Sequence, residues 1–63
     1  MTVNGQRHPD LPPNVAALVQ ALSLGERRIA VAVNGAVVPR SRWSEHPLYE
    51  ADAVEIVHAV GGG

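Results

Sequence analysis

The apolar residues of this 63-residue chain fall at two spacings, one helical and one strand-like. The helical spacing, at i, i+3, i+4 and i+7, places four side chains on one stripe: Val15, Leu18, Val19 and Leu22. This pattern predicts a single amphipathic helix over residues 15–22. Asn14 is a good N-cap for it, and Gly25 fits a left-handed residue just past its end. Such a helix can cover another layer with one face only.

The remaining apolar stretches have the length and residue types of β-strands. They are Thr2–Val3, residues 6–10, Ile29–Val33, Ala36–Val38 and residues 54–60. Asn4-Gly5 and Asn34-Gly35 predict two-residue hairpins, because a type I′ turn needs positive φ at both central positions. Pro9 lacks a backbone N–H and places the second strand at an edge of the sheet. Residues 41–44 can form a short turn or 3₁₀ segment.

The order of these elements is hairpin, helix, hairpin, connection and final strand. The final strand has no hairpin mate, so we expect it to insert between the first and third strands, parallel to the first. One helix then packs across a mixed four- to five-stranded sheet. This is a two-layer α+β arrangement of the ubiquitin-like β-grasp type. We expect a domain over residues 1–60, followed by a flexible glycine tail over 61–63.

Side chains alternate between the two faces of a strand, which separates core positions from open ones. The bulky residues Ile29, Val31, Val33, Val54 and Ile56 suit the face under the helix. The opposite face carries small or apolar residues at Ala30, Ala32, Val57 and Ala59. Because the only helix is already used, this second face is predicted to be an open surface that docks a partner. An ordinary exposed apolar surface is the alternative.

The chain ends in Gly61-Gly62-Gly63, directly after the last predicted strand. Glycines contribute no side-chain packing, and their unhindered backbone can enter a partner's narrow active-site channel. At about 3.3–3.6 Å per residue, this tail reaches about 10 Å beyond the strand. We therefore predict that the Gly63 α-carboxylate is the functional group and that Gly61 and Gly62 lead it into the partner. A frayed end without a role is the alternative.

Composition excludes several classes of function. The chain has no cysteine, which excludes disulfides, thiolate metal sites and a cysteine nucleophile. Five arginines face six acidic residues, and there is one Trp, one Tyr and no Phe, so we expect no nucleic-acid surface. No apolar run approaches the roughly 20 residues of a membrane span. Residues 1–5 do not resemble a signal peptide, so we expect a cytoplasmic protein with no membrane partner.

No combination of side chains predicts catalysis by this chain itself. The histidines, His8, His46 and His58, match no zinc spacing, and we expect no metal site. The serines lie in no nucleophile elbow, and the carboxylates form no acid–base pair. Trp43 is expected to pack in the core or at an edge. The chain is therefore predicted to be a carrier or adaptor, without catalytic residues of its own.

Residues 33–43 read Val-Asn-Gly-Ala-Val-Val-Pro-Arg-Ser-Arg-Trp, and residues 52–57 read Asp-Ala-Val-Glu-Ile-Val. Together with the terminal Gly62-Gly63, these stretches resemble the sulfur carrier proteins of thiamine biosynthesis (ThiS type). The helix and the length also fit, so the resemblance covers nearly the whole chain. The chain departs from the family at Ala51, where a glycine usually precedes the aspartate, and in its shorter first hairpin.

The resemblance implies a mechanism. A partner adenylyltransferase (E1-like, ThiF type) uses ATP and Mg²⁺ to convert the Gly63 carboxylate into an acyl-adenylate. A cysteine persulfide, made from cysteine by a desulfurase, then displaces AMP and leaves a thiocarboxylate. Thiazole synthase (ThiG type) accepts that sulfur. The carrier itself binds no cofactor, because covalent activation of its terminus is performed by its partners.

The residues leave other functions open. The small subunit of molybdopterin synthase shares the fold and the terminal Gly-Gly, but it is usually longer and lacks the Val-Pro-Arg…Trp stretch. A carrier for another sulfur product is possible on the same motifs. A ubiquitin-like modifier would join Gly63 to a target lysine through an isopeptide bond. A plain interaction domain with an inert tail would use only the open face.

Overall fold

The computed structural model describes residues 1–58, which form one five-stranded sheet with a helix across one face. The strand order is β2-β1-β5-β3-β4. The elements are β1 (Thr2–Val3), β2 (Gln6–Arg7), α1 (Val15–Ala21), β3 (Ile29–Val33), β4 (Ala36–Val38), a 3₁₀ helix (Arg40–Glu45) and β5 (Ala53–His58). The predicted α+β architecture is confirmed. The boundary predicted at residue 60 and the tail at 61–63 lie outside the described residues.

The last strand lies in the middle of the sheet, as its lack of a hairpin mate predicted. It runs parallel to β1, with Val3 opposite Val54, and antiparallel to β3, with Val31 opposite Ile56. It begins at Ala53, one residue earlier than predicted, and is described as far as His58. The two hairpins therefore flank β5, and each contributes one neighbouring strand to it.

Both Asn-Gly pairs form the predicted turns. The φ angles are 51° and 82° at Asn4 and Gly5, and 51° and 84° at Asn34 and Gly35. The strand after the first turn was predicted over residues 6–10, and this was wrong: β2 ends at Arg7. The His8 N–H donates to the Met1 carbonyl at 3.0 Å, and Pro9 then has no N–H with which to continue the pairing.

The helix begins as the sequence predicted. Asn14 adopts an extended conformation, and its Oδ1 accepts a hydrogen bond from the Ala17 N–H at 2.8 Å. This bond satisfies one of the backbone donors that a helix start leaves without an intrahelical acceptor. Val15, Leu18 and Val19 are buried on the predicted stripe, and Leu22 is half-buried.

The helix ends differently from the prediction that placed Gly25 in the left-handed position. The left-handed residue is Ser23, with φ of 59°. Its N–H donates to the Gln20 carbonyl at 3.0 Å, and the Leu24 N–H donates to the Val19 carbonyl at 3.0 Å, which is the bond pattern of a Schellman motif. Ending the helix here turns the half-buried Leu24 back onto the core.

The core lies between α1 and the sheet, and ten side chains within residues 1–58 are buried in it. They are Val15, Leu18, Val19, Val31, Val33, Val38, Trp43, Leu48, Val54 and Ile56. The predicted strand parity is confirmed, since alternate residues of β3 and β5 are buried. Leu48 was not predicted, because it follows the break at Pro47. Its N–H donates to the Pro13 carbonyl at 3.2 Å, which fixes this loop beside the start of α1.

The 3₁₀ helix closes one side of the core through Trp43. The Trp43 Nε1 donates to the Val38 carbonyl at 2.9 Å, which satisfies its buried polar atom. The Arg40 guanidinium lies 4.4 Å from the centroid of the Trp43 ring. The same guanidinium donates to the carbonyls of Gly25 and Arg27 at 3.0 and 2.8 Å. Arg40 therefore ties the loop between α1 and β3 to the 3₁₀ helix.

Asp52 fixes the turn that precedes β5. Its Oδ2 accepts a hydrogen bond from the Tyr49 N–H at 2.9 Å, and its Oδ1 accepts one from the Asn34 Nδ2 at 3.0 Å. The bond from Tyr49, and to a smaller extent the bond from Asn34, hold the pKa of Asp52 below its ordinary value of 3.8. Ala51, which departs from the family pattern, is not among the described residues with positive φ, so alanine fits this turn without backbone strain.

Ser23→Gly is expected to stabilise the protein by about 1 kcal/mol, because glycine adopts the left-handed conformation without the steric cost that an L-residue incurs. Urea unfolding measures this difference. Ser41→Gly is the matched control, since Ser41 lies in the 3₁₀ helix without positive φ, and we expect it to be destabilising. A Ser23→Gly variant no more stable than the wild type would contradict the strain at this helix end.

Asp52→Asn is expected to make the protein less sensitive to acid. Because the folded-state pKa of Asp52 is lowered, its contribution is present above pH 3.8 and is lost as pH falls through the folded pKa. The free energy of unfolding, measured between pH 6 and pH 2, should therefore fall less steeply in this variant. Glu50→Gln is the comparison variant, since it removes an exposed carboxylate of the same turn and neither Asp52 hydrogen bond; an equal change of slope in both variants would contradict the role of Asp52.

Candidate functional site

The end of β5 is the part of the described structure nearest in sequence to the terminal glycines. His58, the last described residue, pairs with Ile29 at the start of β3 and is exposed. The predicted functional residues Gly61, Gly62 and Gly63 lie outside the described residues, as does Ala59. The role of Gly63 stays a prediction. The structure describes the strand, β5, that precedes these residues in the sequence.

Two turn asparagines hold the backbone of β5. The Asn4 Oδ1 accepts a hydrogen bond from the Ile56 N–H at 2.7 Å, and the Asn4 Nδ2 donates to the Ile56 carbonyl at 3.1 Å. The Asn34 Oδ1 accepts one from the Ala53 N–H at 2.9 Å. Both asparagines were predicted only as turn residues. No local signal assigns the second role, because Asn4 and Ile56 meet only once β5 lies beside β1.

The open face of the sheet carries the predicted apolar surface. Ala30 lies opposite Val57, and Ala32 lies opposite Glu55 on one side and Val37 on the other. Val57 is 58% exposed and Val37 is 71% exposed. The two alanine side chains are too short to fill the space between these valines. A shallow groove of about 180 Å³ therefore runs along β3.

This surface, the open-face groove, is lined by Ala30, Ala32, Gly35, Val37, Glu55 and Val57, with Val31 beneath. Val37 was not predicted as part of this surface, although the two-residue hairpin places it opposite Ala32. Glu55 is the only charged residue that lines the groove within residues 1–58. The groove can therefore accept an apolar side chain, with a cation or hydrogen-bond donor beside Glu55.

The other candidate side chains are not brought together. Within residues 1–58, no group of three His, Cys, Asp or Glu side chains is close enough to hold a metal ion. His8 follows β2, His46 follows the 3₁₀ helix and His58 ends the described part of β5. No helix in that same range is long and apolar enough to cross a membrane.

Sequence comparison relates the whole chain to one family. The profile of the ThiS family matches residues 1–63. A thiazole synthase of Magnetococcus marinus is 34% identical over 62 residues, which cover 97% of this chain and 19% of that protein. A thiazole synthase of Paramagnetospirillum magneticum is 33% identical over 64 residues, which cover 100% of this chain and 20% of that protein. The chain thus spans about a fifth of the length of these two relatives.

Two smaller relatives match in size as well. The sulfur carrier protein ThiS of Escherichia coli is 29% identical over 49 residues, which cover 78% of this chain and 74% of that protein. The crystal structure of a thiamine biosynthesis protein (ThiS) from Geobacter metallireducens superposes with a TM-score of 0.80 at 32% identity, covering 98% of this chain and 96% of that one. Since the family profile extends over the full chain and the fold agrees, this chain belongs to the ThiS family.

Proposed function

We propose that this chain is a sulfur carrier of thiamine biosynthesis, which delivers sulfur as a thiocarboxylate at Gly63. The observation that carries the proposal is the full-length family match, together with a similar sulfur carrier protein from Escherichia coli. The fold supports it, because β5, at the centre of the sheet, is the strand that precedes the terminal glycines in the sequence.

The chemistry requires activation of a carboxylate, which is a poor acylating group by itself. In the first step, an oxygen of the Gly63 carboxylate attacks the α-phosphorus of ATP, and the bond to pyrophosphate breaks. The product is a mixed anhydride with AMP as a good leaving group. An adenylyltransferase supplies the sites for ATP and Mg²⁺, so the carrier contributes only an unhindered acyl group.

In the second step, the terminal sulfur of a cysteine persulfide attacks the acyl carbon, and AMP leaves. A thiol then cleaves the resulting acyl disulfide: the thiol forms a new disulfide with the donor sulfur, and the thiocarboxylate is released. The persulfide and the thiol belong to partner proteins, because this chain has no cysteine. In this scheme the chain is a co-substrate of its partners rather than an enzyme.

Thiazole synthase is the proposed acceptor of the sulfur. Two thiazole synthases contain a segment similar to this entire chain, which supports a shared reaction of carrier and synthase. The open-face groove is the proposed docking surface for this enzyme. It includes Ala30, Ala32 and Val57, which were predicted from the sequence, and Val37. The proposal also keeps Ala59, which lies outside the described residues. An apolar side chain of the partner would fill the groove between Val37 and Val57.

A protein ending at Gly63 is expected to gain one sulfur in place of one oxygen when it is incubated with its adenylyltransferase, ATP, a cysteine desulfurase and cysteine. Intact mass followed by C-terminal fragmentation checks this, because oxidation at Met1 gives nearly the same mass. The matched control carries one alanine appended after Gly63 and should stay unmodified. An unmodified wild-type terminus would contradict the proposal, and conjugates to lysine would indicate a protein modifier.

Val57→Asp is expected to weaken binding to thiazole synthase at least about tenfold, because the partner's apolar side chain would remove water from the new carboxylate without offering it a hydrogen-bond donor. Calorimetry or fluorescence anisotropy measures the Kd. Ser41→Asp is the control, since it adds the same charge to the exposed 3₁₀ helix. A wild-type Kd for a folded Val57→Asp variant would exclude the groove as the docking surface.

A further inference from the structure

The two edges of β5 are held unequally. On the β3 side, the register is continuous from Val54, opposite Val33, to His58, opposite Ile29. On the other side, β1 pairs only with Ala53 and Val54. The last backbone bond from that side is donated by the Asn4 N–H to the Val54 carbonyl at 2.8 Å.

The first hairpin turn is the reason for this asymmetry. Asn4 has φ of 51°, so the chain turns away from β5 immediately after Val3. Within residues 1–58, no other strand pairs with β5 on this side. The second half of β5 would therefore present an unpaired N–H and carbonyl at Ile56. Such groups are costly when they are shielded from water without a partner.

The Asn4 carboxamide occupies this position. It accepts from the Ile56 N–H at 2.7 Å and donates to the Ile56 carbonyl at 3.1 Å, and both bonds are partly buried. A carboxamide offers the same donor and acceptor as a peptide group. The Asn4 side chain thus makes the two hydrogen bonds to β5 that a further residue of β1 would make if the strand continued.

We propose that Asn4 is a positioning residue for the terminal glycine: it sets the last point at which β5 is held on both edges. This role rests on the proposed function, since it concerns how Gly63 is presented to the adenylyltransferase. Ile56 lies seven residues before Gly63. Without the carboxamide, the described part of β5 beyond Val54 is hydrogen-bonded to β3 alone, and a smaller fraction of molecules presents it in the geometry that the enzyme binds. The apparent dissociation constant rises in inverse proportion to the fraction of carrier molecules that are competent to bind.

Asn34 provides an internal control for this role. It has the same turn type and the same φ of 51°, and its Oδ1 also accepts from a β5 N–H, that of Ala53. It differs in position, because Ala53 is the first residue of β5 and Ile56 lies toward the end that leads to Gly63. Each asparagine makes two side-chain hydrogen bonds, so loss of either carboxamide is expected to lower the stability of the fold. A positioning role should belong to Asn4 alone.

The test compares Asn4→Gly with Asn34→Gly. Glycine keeps the positive φ of each turn and removes only the carboxamide. Two quantities are measured: amide hydrogen exchange at Ile56 and Ala53 in the isolated carrier, and KM and kcat for the carrier in ATP–pyrophosphate exchange catalysed by the adenylyltransferase of the same organism.

We expect Asn4→Gly to accelerate exchange of the Ile56 amide about tenfold, because the Ile56 N–H loses its acceptor and the neighbouring bond to the Ile56 carbonyl is lost with it. The KM for the carrier should rise by a similar factor while kcat stays near the wild-type value. Asn34→Gly should accelerate exchange at Ala53 and leave the KM within about twofold of the wild type. This split between KM values supports the positioning role, since lost stability alone would affect both variants.

Two results would overturn the proposal: a wild-type KM for Asn4→Gly, or an equal rise in KM for both glycine variants. Asn4→Asp covers the case in which the glycine variant does not fold. Aspartate tolerates positive φ and keeps an acceptor for the Ile56 N–H but has no donor for the Ile56 carbonyl, so its KM should be intermediate. A wild-type carrier that supports no pyrophosphate exchange would instead refute the proposed function, independently of the exchange rate at Ile56.

Discussion

The insertion of β5 between β1 and β3 is the constraint on which the rest of the structure depends. This strand is the last one described, yet it supplies the centre of the sheet and buries Val54 and Ile56 in the core. Within residues 1–58 the two hairpins pair with opposite edges of β5 and not with each other. The core is therefore completed only when residues far apart in sequence have paired, and the strand that precedes the terminal glycines is also the one that joins the two halves of the fold.

The stretch from Val33 to Trp43, which resembles the family motif, mainly supports the fold. Within residues 33–43, Asn34 turns the second hairpin and holds the start of β5, while Trp43 closes the core. Arg40 lies against the Trp43 ring and binds two carbonyls of the loop after α1. Of these residues, Gly35 and Val37 line the open-face groove. The motif thus identifies the family through the packing that positions β5, rather than through groups that perform chemistry.

The two faces of the sheet differ in how they are covered. The helix covers one face of the sheet and provides the stability of a small domain, for which a single core is limited. The other face carries the open-face groove, which exists because β3 places alanines between larger residues.

The sequence by itself determined the features that depend on neighbouring residues: both Asn-Gly turns, the Asn14 cap, the helical stripe and the strand parity of the core. These follow from local φ preferences and from periods of 3.6 and 2 residues. The tertiary structure alone decided where the helix ends, that Leu48 is buried, and that Asn4 binds Ile56. These outcomes depend on partners distant in sequence, whose positions are set only when β5 takes its place in the sheet.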